Sequence, residues 1–436
     1  MIVRQFVHWS ENAPASARAE GIGALARAFL YGDLDGVERA EAEQILYAAL
    51  DDPSPLVRRA LAESLAGAHD APPAIVVGLA LDQSDVASVI LSRSPILIDA
   101  QLIDCASVGD AVAQAAIALR PELSPAVSAA LAEIAGREAL IALAVNEGAN
   151  LPEFAMRRMI ERFGEDGELR EALLGRTWIP ASIRAALAAS AARQLADHAV
   201  ARNWLSRARS ERVAKDARER AAMIIAAGCA AFSEETAALA AYLRVSGQLT
   251  PGLALRALLC GQTGLFAATL VELTGVGPRR VAGLMREPPS IGFAALYARA
   301  GLPAPLMVAF GAALAALARE PHEADADEGG LRLPVIQAVL ARCEAAQDAS
   351  LSRLIALLRR FEADAARAFG MKGVARLREE QIESFAPPVA SRDIAAAIAA
   401  AEKVEPLTPV EPMTEPLAAT DVVVDLVALE KELLAA

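Results

Sequence analysis

The feature that most constrains the fold is an acidic turn, a proline and an apolar run opening on Val-Arg. It reads Leu50-Asp51-Asp52-Pro53-Ser54-Pro55-Leu56-Val57-Arg58-Arg59-Ala60-Leu61-Ala62. Pro55 suits a first helical turn, which has no intrahelical use for the N–H that proline lacks. Asp51, Asp52 or Ser54 is placed to accept hydrogen bonds from the open N–H groups behind it. Leu56, Val57, Ala60, Leu61 and Leu65 then recur at helical spacing, so one face is apolar and needs a neighbour.

Related openings follow at Ser124-Pro125-Ala126-Val127, Leu151-Pro152-Glu153-Phe154 and Ile179-Pro180-Ala181-Ser182. From Pro125 to Pro152 to Pro180 the step is 27 and then 28 residues, the length of two short helices and two turns. A further, degenerate unit is expected between Pro55 and Pro125, opening near Asp82-Gln83-Ser84-Asp85-Val86. Units of this size cannot bury their apolar faces alone. They predict an all-α, HEAT-like α-solenoid, a helical repeat array with a C-terminal helical extension. Composition agrees, because 55% of the 436 residues are hydrophobic yet only 4% are aromatic, and much of the apolar content is alanine. Alanine favours helices and close helix approach, whereas strands draw on β-branched and aromatic residues.

The predicted organisation is N-terminal HEAT-like repeats over 1–195, a second helical array over 196–320 and C-terminal helices over 331–385. A flexible Pro/Glu linker over 386–416 and a short amphipathic tail helix over 417–436 complete it. Residues 14–51 read as two leading helices with Asp33-Leu34-Asp35-Gly36 as their turn. Arg202 to Arg220 is dense in charge of both signs, which predicts a solvated face with helix salt links, a basic docking groove being the other reading. Glu320 to Gly330 is acidic and ends in paired glycines, so a loop or hinge is expected there.

Net charge is −13, which argues against a general nucleic-acid or anionic-membrane surface. Cys105, Cys229, Cys260 and Cys343 lie far apart, with no C-x-x-C and no histidine at ligand spacing, so neither a metal site nor a disulfide framework is expected. Buried thiols in a reducing cytoplasm fit better. No stretch reads as a signal peptide or a membrane span, and Ala221 to Leu243 and Pro305 to Ala318 read as core helices.

Several motifs could carry binding. Leu273-Thr274-Gly275-Val276-Gly277-Pro278-Arg279-Arg280-Val281 looks like a helix-hairpin-helix turn. There Gly275 and Gly277 would let backbone N–H groups approach a phosphate, with Arg279 and Arg280 adding charge. The competing reading is an ordinary inter-helix turn, with glycine supplying φ > 0 and Pro278 starting the next helix. Arg58-Arg59, Arg157-Arg158 and Arg279-Arg280 would form a ladder for acidic or phosphorylated partners if their helices share a surface. For Arg58 a structural bridge to Asp51 or Asp52 is the stronger reading. Trp9 stands in an N-terminal arm as a candidate contact, though stapling the arm to the first helices is the plainer role, and Trp178 is expected in the core. Leu426, Leu429 and Leu433 mark an apolar stripe in the tail, suited to docking on this chain or on a partner. His8, His69, His198 and His322 fall in no catalytic arrangement, so no catalytic residue and no cofactor is expected.

Three stretches carry a family resemblance. They are Ala24-Leu25-Ala26-Arg27-Ala28-Phe29-Leu30-Tyr31 with Asp33, Leu50 to Ala62 followed by Asp70-Ala71-Pro72, and Ile291-Gly292-Phe293-Ala294-Ala295-Leu296-Tyr297 running on to Pro303. Together they resemble the bacterial family catalogued as domain of unknown function 2336, over roughly residues 14–385. The resemblance implies an α-helical, HEAT-like fold in the bacterial cytosol and assigns no activity, cofactor or catalytic residue. The expected role is a non-enzymatic scaffold or regulatory adaptor for a protein partner. The alternatives are a nucleic-acid or nucleotide binder through the Gly275–Arg280 turn, and an enzyme on the same scaffold.

Overall fold

The computed structural model describes residues 8–10, 12–286, 290–319 and 329–385. Two compact units divide the chain, Met1–Phe369 and Gly370–Ala436, and the second is described only over the end of the helix Ser352–Phe385. The linker over 386–416 and the tail helix with Leu426, Leu429 and Leu433 lie outside the described residues, as does most of the acidic segment 320–330. The regular elements described are α-helices and short 3-10 turns, and no β-strand occurs among the described residues.

Among the described helices of Met1–Phe369, thirteen form two series, each member packing on the next but one in the chain. The first series runs Ala15–Tyr31, Pro55–Leu65, Ser84–Arg93, Ala111–Ala118, Arg137–Val145 and Gly167–Leu174. The second runs Asp99–Val108, Pro125–Ile134, Glu153–Phe163, Ala181–Ala201, Glu234–Val245, Thr263–Thr274 and Ile291–Arg299. From Pro55 the first series opens at 55, 84, 111, 137 and 167, steps of 29, 27, 26 and 30 residues. The second opens at 99, 125, 153 and 181, steps of 26, 28 and 28.

This corrects the frame read from the prolines. Pro55 opens a helix of the first series, whereas Pro125, Pro152 and Pro180 stand at openings of the second. Proline marks a helix start in either series because the first turn has no use for its missing N–H, so the residue type does not report the series. Capping differs as well. Ser54 makes no side-chain cap, and the Asp52 carboxylate instead accepts the Ser54 N–H at 2.8 Å and the Arg18 guanidinium at 2.9 Å. Arg58 does bridge the repeat turn, but its carboxylate partner is Asp82, and from Asp52 it takes the backbone carbonyl.

Polar side chains join helices and turns 26 to 32 residues apart in the chain. Helix C-termini leave carbonyl groups without intrahelical partners, and here guanidinium and hydroxyl groups from later helices satisfy them. Arg162 donates to the carbonyls of Ala132 and Ala135 at 2.8 and 2.9 Å, and Ser190 donates to Gly164 at 2.6 Å. On the inter-repeat turns, Arg176 reaches the carbonyls of Ala144, Asn146 and Ala149 at 3.0, 2.8 and 2.9 Å.

Two hydrophobic clusters form the core, one from Ala19 to Leu187 and one from Ala181 to Ala365. Both draw on the helix Ala181–Ala201, which gives Ile183 and Leu187 to the first and Ala181 and Ala185 to the second. That helix crosses the boundary expected at residue 195, so the divide in the core runs along a continuous helix. The apolar stretch Ala221 to Leu243 is split between Arg207–Ala227 and Glu234–Val245. No helix of the described residues is long and apolar enough to cross a membrane.

Candidate functional site

The Gly275–Arg280 turn joins two helices that pack on one another, Thr263–Thr274 and Pro278–Met285. Gly275 ends the first helix in the left-handed region at φ 68°, where a side chain would be strained. Gly277 is in extended backbone, φ −58° and ψ 146°, and accepts the N–H groups of Arg280 and Val281. Space around both glycines is open. The Arg279 and Arg280 side chains are exposed and make no ion pair or hydrogen bond among the described residues.

The other arginine pairs are already engaged. Arg158 holds Glu133 through two nitrogens at 2.7 and 2.9 Å and adds Glu161 at 3.2 Å. Its charge is therefore largely neutralised within the chain. Arg157 binds Glu153 at 2.6 Å, and its guanidinium lies 5.9 Å from the Tyr242 ring centre. Its Nε is buried without a partner. Arg157, Arg158, Arg279 and Arg280 thus form no single ladder of free cations.

Where the helices Glu153–Phe163 and Ala181–Ala201 pack, their N-terminal ends meet. Ser182 donates to the Glu153 carboxylate at 2.7 Å. Phe154 follows Glu153 and is 65% exposed, and Trp178, in the turn before Ala181, is 63% exposed. The expectation that Trp178 lies in the core is corrected. Arg176 and Thr177 tie this turn to the preceding one, Thr177 through the Glu147 carboxylate at 3.0 Å, and Ile179 is the residue that enters the core. In extended chain neighbouring side chains alternate, so seating Ile179 turns Trp178 outward. Sequence offered one signal for this: Trp178 stands directly before the apolar residue of an Ile-Pro opening. Trp9 is 44% exposed and is not without a partner.

Among the described residues no group of three or more His, Cys, Asp or Glu side chains is placed to hold a metal ion. Burial raises the thiol pKa values of Cys105, Cys229 and Cys343, and pushes Cys260 up to about 11, so the thiolate form is disfavoured at all four.

A family model described as an uncharacterised protein conserved in bacteria, DUF2336, matches residues 86–353. The match covers more than half of the 436 residues. The chain belongs to this family. No curated protein and no solved structure matches it. The DUF2336 match is narrower than the 14–385 span expected from the resemblance. It includes Ile291 to Pro303 but begins after the stretches at 24–33 and 50–72. It also contains Phe154, Arg157, Trp178 and the Gly275–Arg280 turn.

Proposed function

We propose that the chain is a non-enzymatic, HEAT-like helical-repeat protein of the cytoplasm that holds a protein partner, with Phe154, Trp178 and Arg157 as anchors. The exposed aromatic pair beside the Glu153–Ser182 hydrogen bond carries this reading. Two large exposed aromatic side chains, with Arg157 one helical turn after Phe154, have the composition of an interface hot spot. The alternating helix series and the repeat-to-repeat stitching support the solenoid architecture, which offers such a surface without reorganising. The test is capture of partners from a bacterial lysate by the full chain and by a Phe154→Ala/Trp178→Ala variant, in about 0.5 M salt. A specific protein retained by the native chain and lost by the variant supports the reading, and equal recovery by both sinks it.

The unpaired Arg279 and Arg280 favour a second reading, contact with a nucleic-acid phosphate at the Gly275–Arg280 turn. Phosphate contacts release counterions, so such binding falls steeply with salt. Arg279→Ala/Arg280→Ala would abolish it. Binding of single- or double-stranded DNA that ignores both salt and substitution refutes it.

A further inference from the structure

A cleft of about 260 Å³ opens beside the helix Arg207–Ala227, lined on that helix by Lys215, Arg218, Glu219 and Ala222. These positions recur at three- and four-residue spacing, so they share one helix face. The facing wall is Leu243, the turn at Gly247 and Gln248, and Thr250 with Leu253. Gly247 takes φ 69°, and Thr250 caps the helix Pro251–Leu259 by accepting the Leu253 N–H at 3.2 Å. The Thr250 hydroxyl hydrogen remains available to donate, and the positive end of that helix faces the turn.

Two cations, Lys215 and Arg218, line this cleft in a chain whose net charge is −13. Tyr242 adjoins the lining, interacting with Gln248, and feels the charges of Arg157, Arg193 and Arg218. Neither Arg193 nor Arg218 forms an ion pair or hydrogen bond among the described residues. The carboxylate within the lining, Glu219, is drawn off by the buried Arg256 at 3.0 Å, and Lys215 stands 3.9 Å from its other oxygen. Arg256 also holds Asp216, so three cations, Lys215, Arg218 and Arg256, face two carboxylates, Asp216 and Glu219, and the formal balance is positive by one.

We propose that this cleft binds a small phosphorylated ligand, with Lys215 and Arg218 holding phosphate oxygens and Gln248 and Thr250 adding hydrogen bonds. Guanidinium and ammonium groups together suit an oxyanion carrying several charges, and the cleft is sized for a small molecule rather than a nucleic-acid strand. Lys215 and Arg218 belong neither to the Phe154 and Trp178 surface nor to the Gly275–Arg280 turn, so their substitution tests this site alone.

Titration calorimetry of the full chain with pyrophosphate tests it. Binding should weaken at least tenfold in Lys215→Ala/Arg218→Ala and a few-fold in Arg193→Ala, and remain unchanged in Arg279→Ala/Arg280→Ala. Circular dichroism should show all three variants folded, since these side chains are exposed or half-exposed. The proposal is overturned if the native chain does not bind pyrophosphate, or if the Lys215/Arg218 variant binds it as tightly as the native chain.

Discussion

The side-chain amide of Asn146 donates to the Arg120 carbonyl at 2.7 Å, while the Arg120 guanidinium donates to the carbonyls of Leu91 and Ser94, both at 2.7 Å. The residue that clamps the turn before it is thus clamped by the turn after it. Asn146 also takes the Ala118 carbonyl at 2.8 Å, and its own carbonyl is taken by Arg176. The relay runs across four successive turns. Removing one member leaves carbonyls without donors, so Arg120→Ala and Asn146→Ala should each cost about 2 kcal/mol. Because the two share a turn, the double variant should depart from additivity by about 0.5 kcal/mol or more. Urea denaturation of the four proteins measures this, and strict additivity would mean that the turns are independent.

Gly148 tests the same edge from the backbone. Its carbonyl accepts the Leu123 N–H at 3.3 Å, and the Leu123 carbonyl accepts the Asn150 N–H at 3.0 Å, a pairing that links two inter-helix turns. A Cβ at Gly148 would run into the Pro121 carbonyl oxygen. Gly148→Ala should therefore force the turns apart and lower stability by about 1–3 kcal/mol. Gly136→Ala, where the nearest neighbour is 4.0 Å away, is the control. Equal thermal midpoints for the two variants would count against close turn packing.

Arg256 is 3% exposed and binds Asp216 at 2.8 Å and Glu219 at 3.0 Å, with its guanidinium 5.3 Å from the Phe361 ring centre. This ion cluster ties the helix Pro251–Leu259 to Arg207–Ala227. Breaking a buried pair from one side is costlier than the pair's net worth, because the abandoned carboxylates stay partly buried. Arg256→Ala should destabilise the chain by about 3 kcal/mol. Arg220→Ala removes a more exposed partner of Asp216 and should cost under about 1 kcal/mol. Comparable losses in the two would show that burial does not set the cost.

Acid should expose the Arg18–Asp52 contact. The hydrogen bond from Arg18, the largest influence lowering it, holds the Asp52 carboxyl below its ordinary value of 3.8, assisted by the Ser54 N–H and opposed by burial. A carboxylate depressed in the folded state stabilises fully above the unfolded value, and that contribution is lost as pH falls through the lower folded value. The stability gap between the native chain and Arg18→Ala should thus be open near about pH 6 and narrow by about pH 3. A gap that is constant across that range would place the effect of Arg18 in packing instead of charge.

Local sequence determined that the described residues are helical, where several helices begin and that related openings recur 27 to 28 residues apart. Helix propensity, apolar spacing and proline at a first turn act within about four residues of one another. The leading helices at Ala15–Tyr31 and Gly36–Ala48 and the openings at Pro55 and Pro125 were legible for that reason. Tertiary structure alone decided which helix series each opening joins, that Arg58 pairs with Asp82, and that Trp178 faces water while Ile179 is buried. It also decided that Arg158 is neutralised by Glu133, whereas Arg279, Arg280, Arg193 and Arg218 stay unpaired. Such pairings join residues 24 or 25 positions apart in the chain, as for Arg58 with Asp82 and Arg158 with Glu133. Only the packing of successive helices brings them within hydrogen-bond reach, which local spacing does not encode.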